Sequence, residues 1–281
     1  MAGDVWRCGR YSLGLGAPLV MGILNVTPDS FSDGGRFADP IAAVERGHAL
    51  IASGADLIDV GGESTRPGSA EVPVAEELAR VRPIVTALAR DFPVPVSIDT
   101  RHAAVAAACI EAGASVINDI SGFRDPAMIA VAEGCDAGVV VMHMQGEPKT
   151  MQQAPTYADV TAEVAEFLHE RAAALEAAGV SRDRIAIDPG IGFGKTTEHN
   201  LELLRRLPDL AALGYPVLVG ASRKRFLGEI TGETEPARRV GASVGAAAWS
   251  VLHGAAIVRV HDVAETVQAF GVWSAIAGDR S

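Results

Sequence analysis

The sequence predicts an α/β fold, specifically a (β/α)8 TIM barrel with a short N-terminal hairpin or cap. Two observations carry this prediction. Short apolar runs alternate with helical patterns eight times between residues 19 and 277. Each apolar run ends in a polar or glycine-rich segment of the kind that binds ligands. Because the active site of such a barrel lies at the carboxyl ends of its strands, the second observation also predicts where the site lies.

The apolar runs are short and bounded by turn residues, which is typical of parallel strands buried on both faces. The eight predicted strands are Val20–Leu24, Leu57–Val60, Val94–Ile98, Ser115–Ile117, Gly138–Met142, Ile185–Ile187, Pro216–Ala221 and Ala256–Val258. Residues 1–18 precede the first strand, and we expect them to form the hairpin or cap at the bottom of the barrel.

Amphipathic patterns and capping residues predict the helices between these strands. Asp39 is placed to cap a helix that has Pro40 at its first position, and Gly179 is placed to end another. The predicted helices are Pro40–Ser53, Val74–Arg90, Ala103–Ala112, one that Asp125-Pro126 starts and that ends near Glu133-Gly134, Asp159–Ala178, His199–Leu207, Glu235–His253 and Asp262–Ile276. The stretch Val240–Ala255 is rich in small residues and fits either a tight internal helix contact or a subunit interface.

Length and composition fit one domain over residues 1–281, with the barrel proper at about 19–277. The net charge of −11 argues against a general nucleic-acid surface, although local Arg and Lys can still bind an anion. Cys8, Cys109 and Cys135 form no C-x-x-C pair, so we expect free thiols in a cytoplasmic enzyme. No uninterrupted apolar stretch reaches the roughly 18 residues of a membrane span.

Long polar loops follow the first two strands, at residues 25–35 and 61–68. Both exceed the usual length of βα loops, which favours lids that close over a ligand over ordinary turns. The first loop carries Phe31 and Asp33 among polar neighbours. In the second, Arg66 is the only cation, and its guanidinium suits an anionic ligand.

Polar residues also end the third and fourth strands, where Asp99 and Asn118 would face a barrel packed with Val and Ile. Buried polar groups need partners, and a heterocycle with N–H and C=O edges would supply them. The alternative for Asp99 is a cap on the next helix. His143, at the end of the fifth strand, fits either a structural or a ligand-contacting role.

The segment Asp188–Thr196 resembles a Walker A loop but has Pro189 where the first glycine is required. We therefore predict a ligand-lining turn with Asp188 and Phe193 facing the pocket. No group of His, Asp and Glu has the spacing of a metal cage, so any Mg²⁺ would be held partly by ligand phosphates.

The loops after strands seven and eight are the usual phosphate site of such barrels. Here they carry Ser222, Lys224, Arg259 and His261, which suit a pyrophosphate clamp. Arg223 and Arg225 are expected to form outward salt bridges.

These motifs, in this order, resemble the bacterial dihydropteroate synthase family. The resemblance covers most of the chain from about residue 19 onward, and its first, second and seventh blocks are the most specific. The matching blocks are Met21–Gly35, Asp59–Gly68, Ser97–Thr100, Val116–Gly122, Met142–His143, Asp188–Lys195, Gly220–Gly228 and Arg259–Val263.

The resemblance implies a transferase of folate biosynthesis with a magnesium-assisted, SN1-like mechanism. Such an enzyme condenses 6-hydroxymethyl-7,8-dihydropterin pyrophosphate with p-aminobenzoate, giving 7,8-dihydropteroate and pyrophosphate. It also implies a homodimer and competition by sulfonamides, which mimic p-aminobenzoate.

The resemblance further implies roles for individual residues. The implied catalytic residues are Asp33, Asp99, Asp188, Lys224, Arg259 and His261. The implied pterin contacts are Asp99, Asn118, Met142, Asp188, Phe193, Gly220 and Lys224. The implied pyrophosphate contacts are Asn25, Thr65, Arg66, Arg259 and His261, with Asn25 also the Mg²⁺ ligand. The implied p-aminobenzoate contacts are Phe31, Thr65, Arg66, Pro67, Phe193 and Ser222.

Three other functions share parts of this pattern. A non-catalytic pterin-binding paralogue would keep the pterin contacts but lose loop or clamp residues. A methyltetrahydrofolate-type methyltransferase barrel would not need the Arg66 loop or the Ser222-Arg223-Lys224 block in this form. A Schiff-base aldolase would use Lys195 or Lys224 as its nucleophile.

Overall fold

The computed structural model describes residues 5–26, 39–64, 72–147 and 149–278. Within these residues eight parallel strands close into a barrel, preceded by a two-stranded antiparallel hairpin, which confirms the predicted fold. The hairpin strands are β1 (Val5–Cys8) and β2 (Tyr11–Gly14). The barrel strands, in spatial as well as chain order, are β3 (Leu19–Asn25), β4 (Leu57–Gly61), β5 (Val96–Asp99), β6 (Val116–Asp119), β7 (Gly138–Met142), β8 (Ile185–Asp188), β9 (Val217–Val219) and β10 (Ala255–Val260).

Helices connect the strands on the outside of the barrel. They are α1 (Pro40–Ala52), α2 (Val74–Asp91), α3 (Ala103–Glu111), α4 (Pro126–Glu133), α5 (Val160–Ala177), α6 (Thr197–Arg205), α7 (Leu207–Ala211), α8 (Arg225–Thr231), α9 (Val240–Leu252) and α10 (Val263–Ala277). Asp39, Asp125 and Asp159 cap α1, α4 and α5 by accepting hydrogen bonds from first-turn backbone N–H groups. These caps explain why the three helix starts were predictable.

One predicted helix was wrong in part, and two short helices were not predicted. The segment predicted as one helix from Glu235 to His253 is a short 3₁₀ turn, Pro236–Arg238, followed by α9, with Arg239 between them. The helices α7 and α8 were not predicted, because their five and seven residues are too few to show a helical repeat of apolar positions.

The barrel interior is apolar at its lower end and polar at its upper end. Near the strand starts, inward side chains form one buried cluster that includes Met21, Leu57, Val140 and Leu218. Two larger apolar clusters lie between the strands and the helices, one on each side of the barrel. The polar side chains of the strand ends therefore rest on a closely packed base.

The N-terminal hairpin closes the bottom of the barrel, as predicted. Trp6 and Cys8 are fully buried against the first residues of the barrel strands. The indole N–H of Trp6 donates to the carbonyl of Arg184 at 2.9 Å. Cys8, Cys109 and Cys135 are free thiols. In the described part of the chain, no helix is long and apolar enough to cross a membrane.

Replacing Trp6 with alanine is expected to lower the free energy of unfolding by about 3–5 kcal/mol, because it leaves a large cavity under the barrel. The turnover number of the folded protein should be unchanged, because the hairpin lies at the end opposite the strand-end polar residues. Urea unfolding measures the first effect, and Val5→Ala, at a position 39% exposed, is the matched control. A loss no larger than that of the control would contradict this role of the hairpin.

Candidate active site

The strand ends bring the predicted polar residues to one rim of the barrel. In a strand alternate side chains point inward, and the pairing register places Asp99 beside Asn118 and Met142 beside Asp188. Asn25 pairs with Gly61, which in turn pairs with Asp99. The closed barrel thus joins residues far apart in the chain into a single polar layer.

Arg259 is the centre of the charge network in this layer. Its Nε donates to Asp59 Oδ2 at 2.6 Å, and its Nη2 donates to Asp99 Oδ2 at 2.7 Å. Burial alone would lower the pKa of Arg259, but the two carboxylates raise it, so the guanidinium stays charged. These two contacts use two of its five N–H donors. The remaining donors suit an anion at the rim.

Asp59 is a site residue that we did not predict from the sequence. It is fully buried and accepts hydrogen bonds from Arg259 and, at 3.1 Å, from Asn118 Nδ2. Its other oxygen, Oδ1, is buried without a partner among the described residues. The sequence does contain a signal for this role of Asp59. It is the one charged residue inside the apolar run Leu57–Val60, and it lies two positions before the inward-facing Gly61.

Asp99 does not cap the next helix, the alternative considered above. His102 occupies the N-cap of α3, and Asp99 pairs with Arg259 instead. Burial raises the pKa of Asp99 to about 7, although Arg259 opposes the shift. The nearby Asp59 carboxylate adds to the increase.

Asp188 and Lys224 form the second charged part of the rim. Asp188 is buried, and its Oδ1 accepts a hydrogen bond from the backbone N–H of Gly190 at 2.7 Å. Burial raises the pKa of Asp188, whereas Lys224 and this N–H oppose the shift. Burial lowers the pKa of Lys224 to about 7. Lys224 Nζ donates to the carbonyl of Ile191 and lies 4.2 Å from the centre of the Phe193 ring.

The glycine-rich segment after β8 is a turn that lies beside the rim residue Lys224. Gly190, Gly192 and Gly194 all have positive φ angles, of 66°, 83° and 61°. A Cβ atom at Gly190 would lie 1.9 Å from the carbonyl oxygen of His143. Only glycine allows this turn to pass so close to the end of β7. The turn thereby places Phe193 beside Lys224.

The apolar part of the site lies beside the charged rim. Phe193 packs against a buried cluster of Ile120, Met142, Met144 and Met151. At the end of β9, a Cβ atom at Gly220 would lie 3.8 Å from Arg259 Cβ, so Gly220 adjoins the guanidinium stem. A flat heterocycle can lie on this surface while its polar edge meets Asp188 and Asn118.

The loops after β9 and β10 are joined by direct contacts. Ser222 Oγ lies 3.0 Å from His261 Nδ1 and accepts a hydrogen bond from the backbone N–H of His261 at 3.2 Å. Arg223 forms a salt bridge with Asp262, and Arg225 with Glu229. The outward salt bridge predicted for Arg225 is confirmed, whereas the salt bridge of Arg223 is directed inward, because the Asp262 side chain is only 8% exposed.

His143 has a packing role in this structure. It is buried, with its Nδ1 2.9 Å from Lys195 Nζ and its ring edge-to-face with Phe167. Burial and the neighbouring Lys195 lower the pKa of His143 to about 2, so it stays neutral. Lys195 is buried and also donates to the carbonyl of Phe193 at 3.0 Å. This pair fixes the glycine-rich turn against the end of β7.

Two places in the described residues bring together side-chain donors of the kind that bind divalent cations. Asn25 Oδ1 and Asp99 Oδ2 lie 3.7 and 3.6 Å from the point that a Cβ atom of Gly61 would occupy. The missing side chain of Gly61 leaves space between two oxygen donors of the kind that Mg²⁺ prefers. Asp99 Oδ2 already accepts a hydrogen bond from Arg259, so Asn25 Oδ1 is the donor here that fits a magnesium ion also held by ligand phosphates.

The second place contains Glu63, Glu77 and His102, whose donor atoms lie within 4.8 Å of one another. Both oxygens of Glu63 accept hydrogen bonds from Arg101 at 3.1 Å, and His102 Nδ1 lies 2.6 Å from Glu77 Oε2. A cation would have to displace these contacts and lie beside a guanidinium. We interpret this group as an ion-pair network.

Five predicted site residues lie outside the described residues: Phe31, Asp33, Thr65, Arg66 and Pro67. Their roles stay predictions. The two described segments that flank the second loop are joined by a hydrogen bond, in which Glu63 Oε1 accepts from the backbone N–H of Val72 at 3.3 Å.

The fold and the rim define a barrel protein built to bind a polar heterocycle beside an anion. The family model described as pterin binding enzyme matches residues 21–261, and the chain belongs to this family. It is 47% identical over 280 residues to the dihydropteroate synthase of Neisseria meningitidis serogroup C, covering 98% of this chain and 99% of that protein.

Two solved structures extend the comparison. The chain is similar to Xanthomonas albilineans dihydropteroate synthase with 4-aminobenzoic acid, with a TM-score of 0.93, 48% identity and coverage of 98% of this chain and 99% of that one. It is also similar to Yersinia pestis dihydropteroate synthase in a sulfonamide drug complex, with a TM-score of 0.92, 44% identity and the same two coverages. The predicted family and fold are confirmed.

Proposed function

We propose that this protein catalyses the dihydropteroate synthase reaction. It joins 6-hydroxymethyl-7,8-dihydropterin pyrophosphate to p-aminobenzoate and releases pyrophosphate and 7,8-dihydropteroate. One observation carries the proposal: Asp99, Asn118, Asp188 and Lys224 converge on one barrel rim, in a chain that belongs to the pterin binding enzyme family. The named relatives with p-aminobenzoate and sulfonamide ligands support both aromatic partners.

The pterin lies across the barrel mouth, with its polar edge at β6 and β8. Its amino group and ring N–H are donors, which suit the Asp188 carboxylate and the amide oxygen of Asn118. The Asn118 amide nitrogen already donates to Asp59, so its oxygen faces the ligand. Lys224 donates to the pterin carbonyl. Met142, Phe193 and Gly220 form the surface beneath the ring.

The pyrophosphate lies at the opposite side of the mouth. Arg259 and His261 bind its oxygens, and Thr65 and Arg66 complete this site from the second loop. Asn25 would hold Mg²⁺ together with the ligand phosphates. When bound, Mg²⁺ neutralises negative charge on the leaving group. Arg259 and His261 stabilise the charge that develops on the same group.

The p-aminobenzoate lies where the loops after β8 and β9 meet. Ser222 and Phe193 contact it in the described part of the chain, and Phe31, Thr65, Arg66 and Pro67 do so from the first two loops. Sulfonamides compete for this site, because they share the aryl amine and the acidic group.

In the proposed reaction, the bond to pyrophosphate breaks before the aryl amine attacks. The bond between the pterin methylene carbon and the pyrophosphate oxygen breaks, and its electron pair leaves with pyrophosphate. The resulting cation is delocalised over the pterin, where the carboxylates of Asp99 and Asp188 stabilise it. The aryl amine nitrogen then bonds to the methylene carbon and loses one proton to solvent. Asp33, in the first loop, is a further catalytic residue of the proposal.

The test is a direct assay with the purified protein, both substrates and Mg²⁺. Mass spectrometry quantifies dihydropteroate, and a coupled assay quantifies pyrophosphate. Equal amounts of the two products, each dependent on both substrates, support the proposal. Tight pterin binding with no product would instead indicate the non-catalytic paralogue. Absence of pterin binding would contradict the whole assignment of the rim.

The pH profile of kcat/KM provides an independent prediction. Asp99 must be ionised to stabilise the cation, and burial raises its pKa to about 7, so kcat/KM should fall below that pH. Lys224 must be protonated to donate to the pterin, and burial lowers its pKa to about 7, so kcat/KM should fall above it. We expect a narrow bell centred near pH 7. Lys224→Arg should lose the basic limb only, whereas a flat wild-type profile would contradict both assignments.

We also propose a cytoplasmic homodimer. Four large apolar side chains of α9 and α10 are exposed by 45% to 80%: Trp249, Leu252, Val272 and Ile276. Such a patch favours a subunit interface. Trp249 also makes an internal contact, because its indole N–H donates to the carbonyl of Leu204 at 2.9 Å.

A further inference from the structure

Arg239, between the 3₁₀ turn and α9, makes contacts that the proposed reaction does not use. Its side chain is largely buried, and its guanidinium donates to four backbone carbonyls. Two belong to Glu233 and Thr234, at 2.9 and 2.6 Å. The other two belong to Arg223 and Lys224, at 3.0 and 3.3 Å. One side chain therefore joins the segment after β9 to the connection that follows α8.

The fit around this guanidinium is close. A Cβ atom at Gly228 would lie 2.7 Å from both Cζ and Nε of Arg239, so a side chain larger than glycine's would displace it. Within the described residues, every hydrogen bond of the Arg239 side chain goes to a backbone carbonyl and none to a carboxylate. The planar, forked shape of arginine is thus what the position requires, because lysine cannot reach several carbonyls in fixed directions.

The segment that Arg239 holds is strained. Arg223 has a φ angle of 60°, which side-chain-bearing residues rarely adopt. Three groups keep it there: Ser243 Oγ accepts from its backbone N–H at 2.9 Å, Arg239 donates to its carbonyl, and Asp262 pairs with its guanidinium. Ser243 Oγ also donates to the carbonyl of Arg239 at 2.7 Å, which links two of these groups.

The residues on either side of this strained position both face the site. Ser222 contacts His261, and Lys224 contacts Ile191 and Phe193. Two of the carbonyls to which Arg239 donates belong to Arg223, the residue directly after Ser222, and to Lys224 itself. A change in their positions would move the p-aminobenzoate contact and the pterin contact together.

We propose that Arg239 is a positioning residue, which holds the segment after β9 so that Ser222 and Lys224 lie in the geometry the substrates need. It touches neither substrate and acts through the carbonyls of Arg223 and Lys224. This inference rests on the proposed function for its kinetic consequences, but its structural part can be measured without any substrate.

The experiment compares Arg239→Met and Arg239→Lys with Arg238→Met. Arg238 is the matched control, since its side chain is 75% exposed and pairs only with Glu233, at 3.2 Å, among the described residues. We expect Arg239→Met to lower kcat/KM by about 10- to 100-fold, with a higher KM for both substrates. Arg239→Lys should restore little, and added methylguanidinium should partly restore Arg239→Met. Arg238→Met should match the wild type.

Hydrogen exchange of the segment 221–226 supplies the readout that needs no activity. Amide exchange there should be faster in Arg239→Met than in Arg238→Met, with exchange in the β4 and β5 strands unchanged. If the wild type makes no dihydropteroate, the proposed function fails while this comparison still decides the positioning role. Unchanged exchange in both Arg239 variants would overturn the inference. A kcat/KM of folded Arg239→Met equal to that of Arg238→Met would also overturn it. Should Arg239→Met not fold, Arg239→Lys supplies both readouts.

Discussion

Replacing Asp188 with asparagine is expected to weaken pterin binding by about 10³-fold and to remove measurable activity. In the proposed complex the carboxylate accepts from two N–H donors of the pterin edge, and each such bond to a charged group is worth roughly 2 kcal/mol. Together they amount to about 4 kcal/mol, which corresponds to about 10³ in affinity. Isothermal titration of the dihydropterin substrate into wild type and variant measures this difference.

The local geometry makes the substitution more damaging than a simple loss of charge. The backbone N–H of Gly190 donates to Asp188 Oδ1 at 2.7 Å, so an asparagine would place its single oxygen there. Its NH₂ group would then face the N–H donors of the pterin. Donor would meet donor in a buried place, where an unmade hydrogen bond cannot be replaced by water.

Asp183→Asn is the matched control for this substitution. The Asp183 side chain is 41% exposed, and its ion pair with Arg7 spans 3.7 Å on the outside of the protein. Such a pair contributes little, so binding and activity should stay at the wild-type level. If Asp188→Asn bound the dihydropterin as tightly as this control does, Asp188 could not be the pterin acceptor.

The fold could be predicted because the strands of a parallel barrel are easily recognised in a sequence. Buried strands read as apolar runs, and β7 was predicted with its observed bounds, Gly138–Met142. Errors arose where local chemistry competes with the pattern. The third strand of the barrel begins at Val96 and not at Val94, because Pro95 has no N–H for the strand ladder.

The break in the predicted helix, just before α9, shows a different limit of prediction from sequence. Arg239 lies between the 3₁₀ turn and α9, and its side chain donates to the carbonyls of Arg223 and Lys224, 16 and 15 residues earlier in the chain. Nothing in the local pattern from Glu235 to His253 signals this. Tertiary contacts therefore overrode helix propensity there.

The site residues at the strand ends could be predicted from the sequence, whereas Asp59, which lies inside a strand, was not. Asp99, Asn118 and Asp188 follow apolar runs directly, so their placement at the rim follows from the topology alone. Asp59 lies inside such a run, and its partner Arg259 is 200 residues away in the chain. Only the closed barrel brings the two together, which is why the role of Asp59 appears in the structure first.

Replacing Arg259 with methionine is expected to lower the free energy of unfolding by about 3–5 kcal/mol and to remove nearly all activity. The substitution takes a buried cation from between Asp59 and Asp99, which leaves two carboxylates close together without compensation. Activity should fall because, in the proposed mechanism, the leaving pyrophosphate loses its main cationic contact. Urea unfolding and the product assay measure the two effects separately.

The loss of stability should depend on pH in a defined direction. Arg259 is the group that opposes the raised pKa of Asp99, so its removal raises that pKa further above the value in the unfolded chain. A raised carboxyl pKa gives stability that is present at low pH and lost as the pH rises through the folded value. The deficit of Arg259→Met relative to wild type should therefore be smaller at pH 5 than at pH 8.

A double variant separates this electrostatic cause from a simple packing defect. Arg259→Met combined with Asp99→Asn removes one of the two uncompensated carboxylates, so it should recover part of the lost stability at pH 8 while staying inactive. A packing defect at position 259 would instead give the same deficit at both pH values, and Asp99→Asn would add its own loss. Equal deficits at pH 5 and pH 8 would thus show that Arg259 does not hold the two carboxylates together.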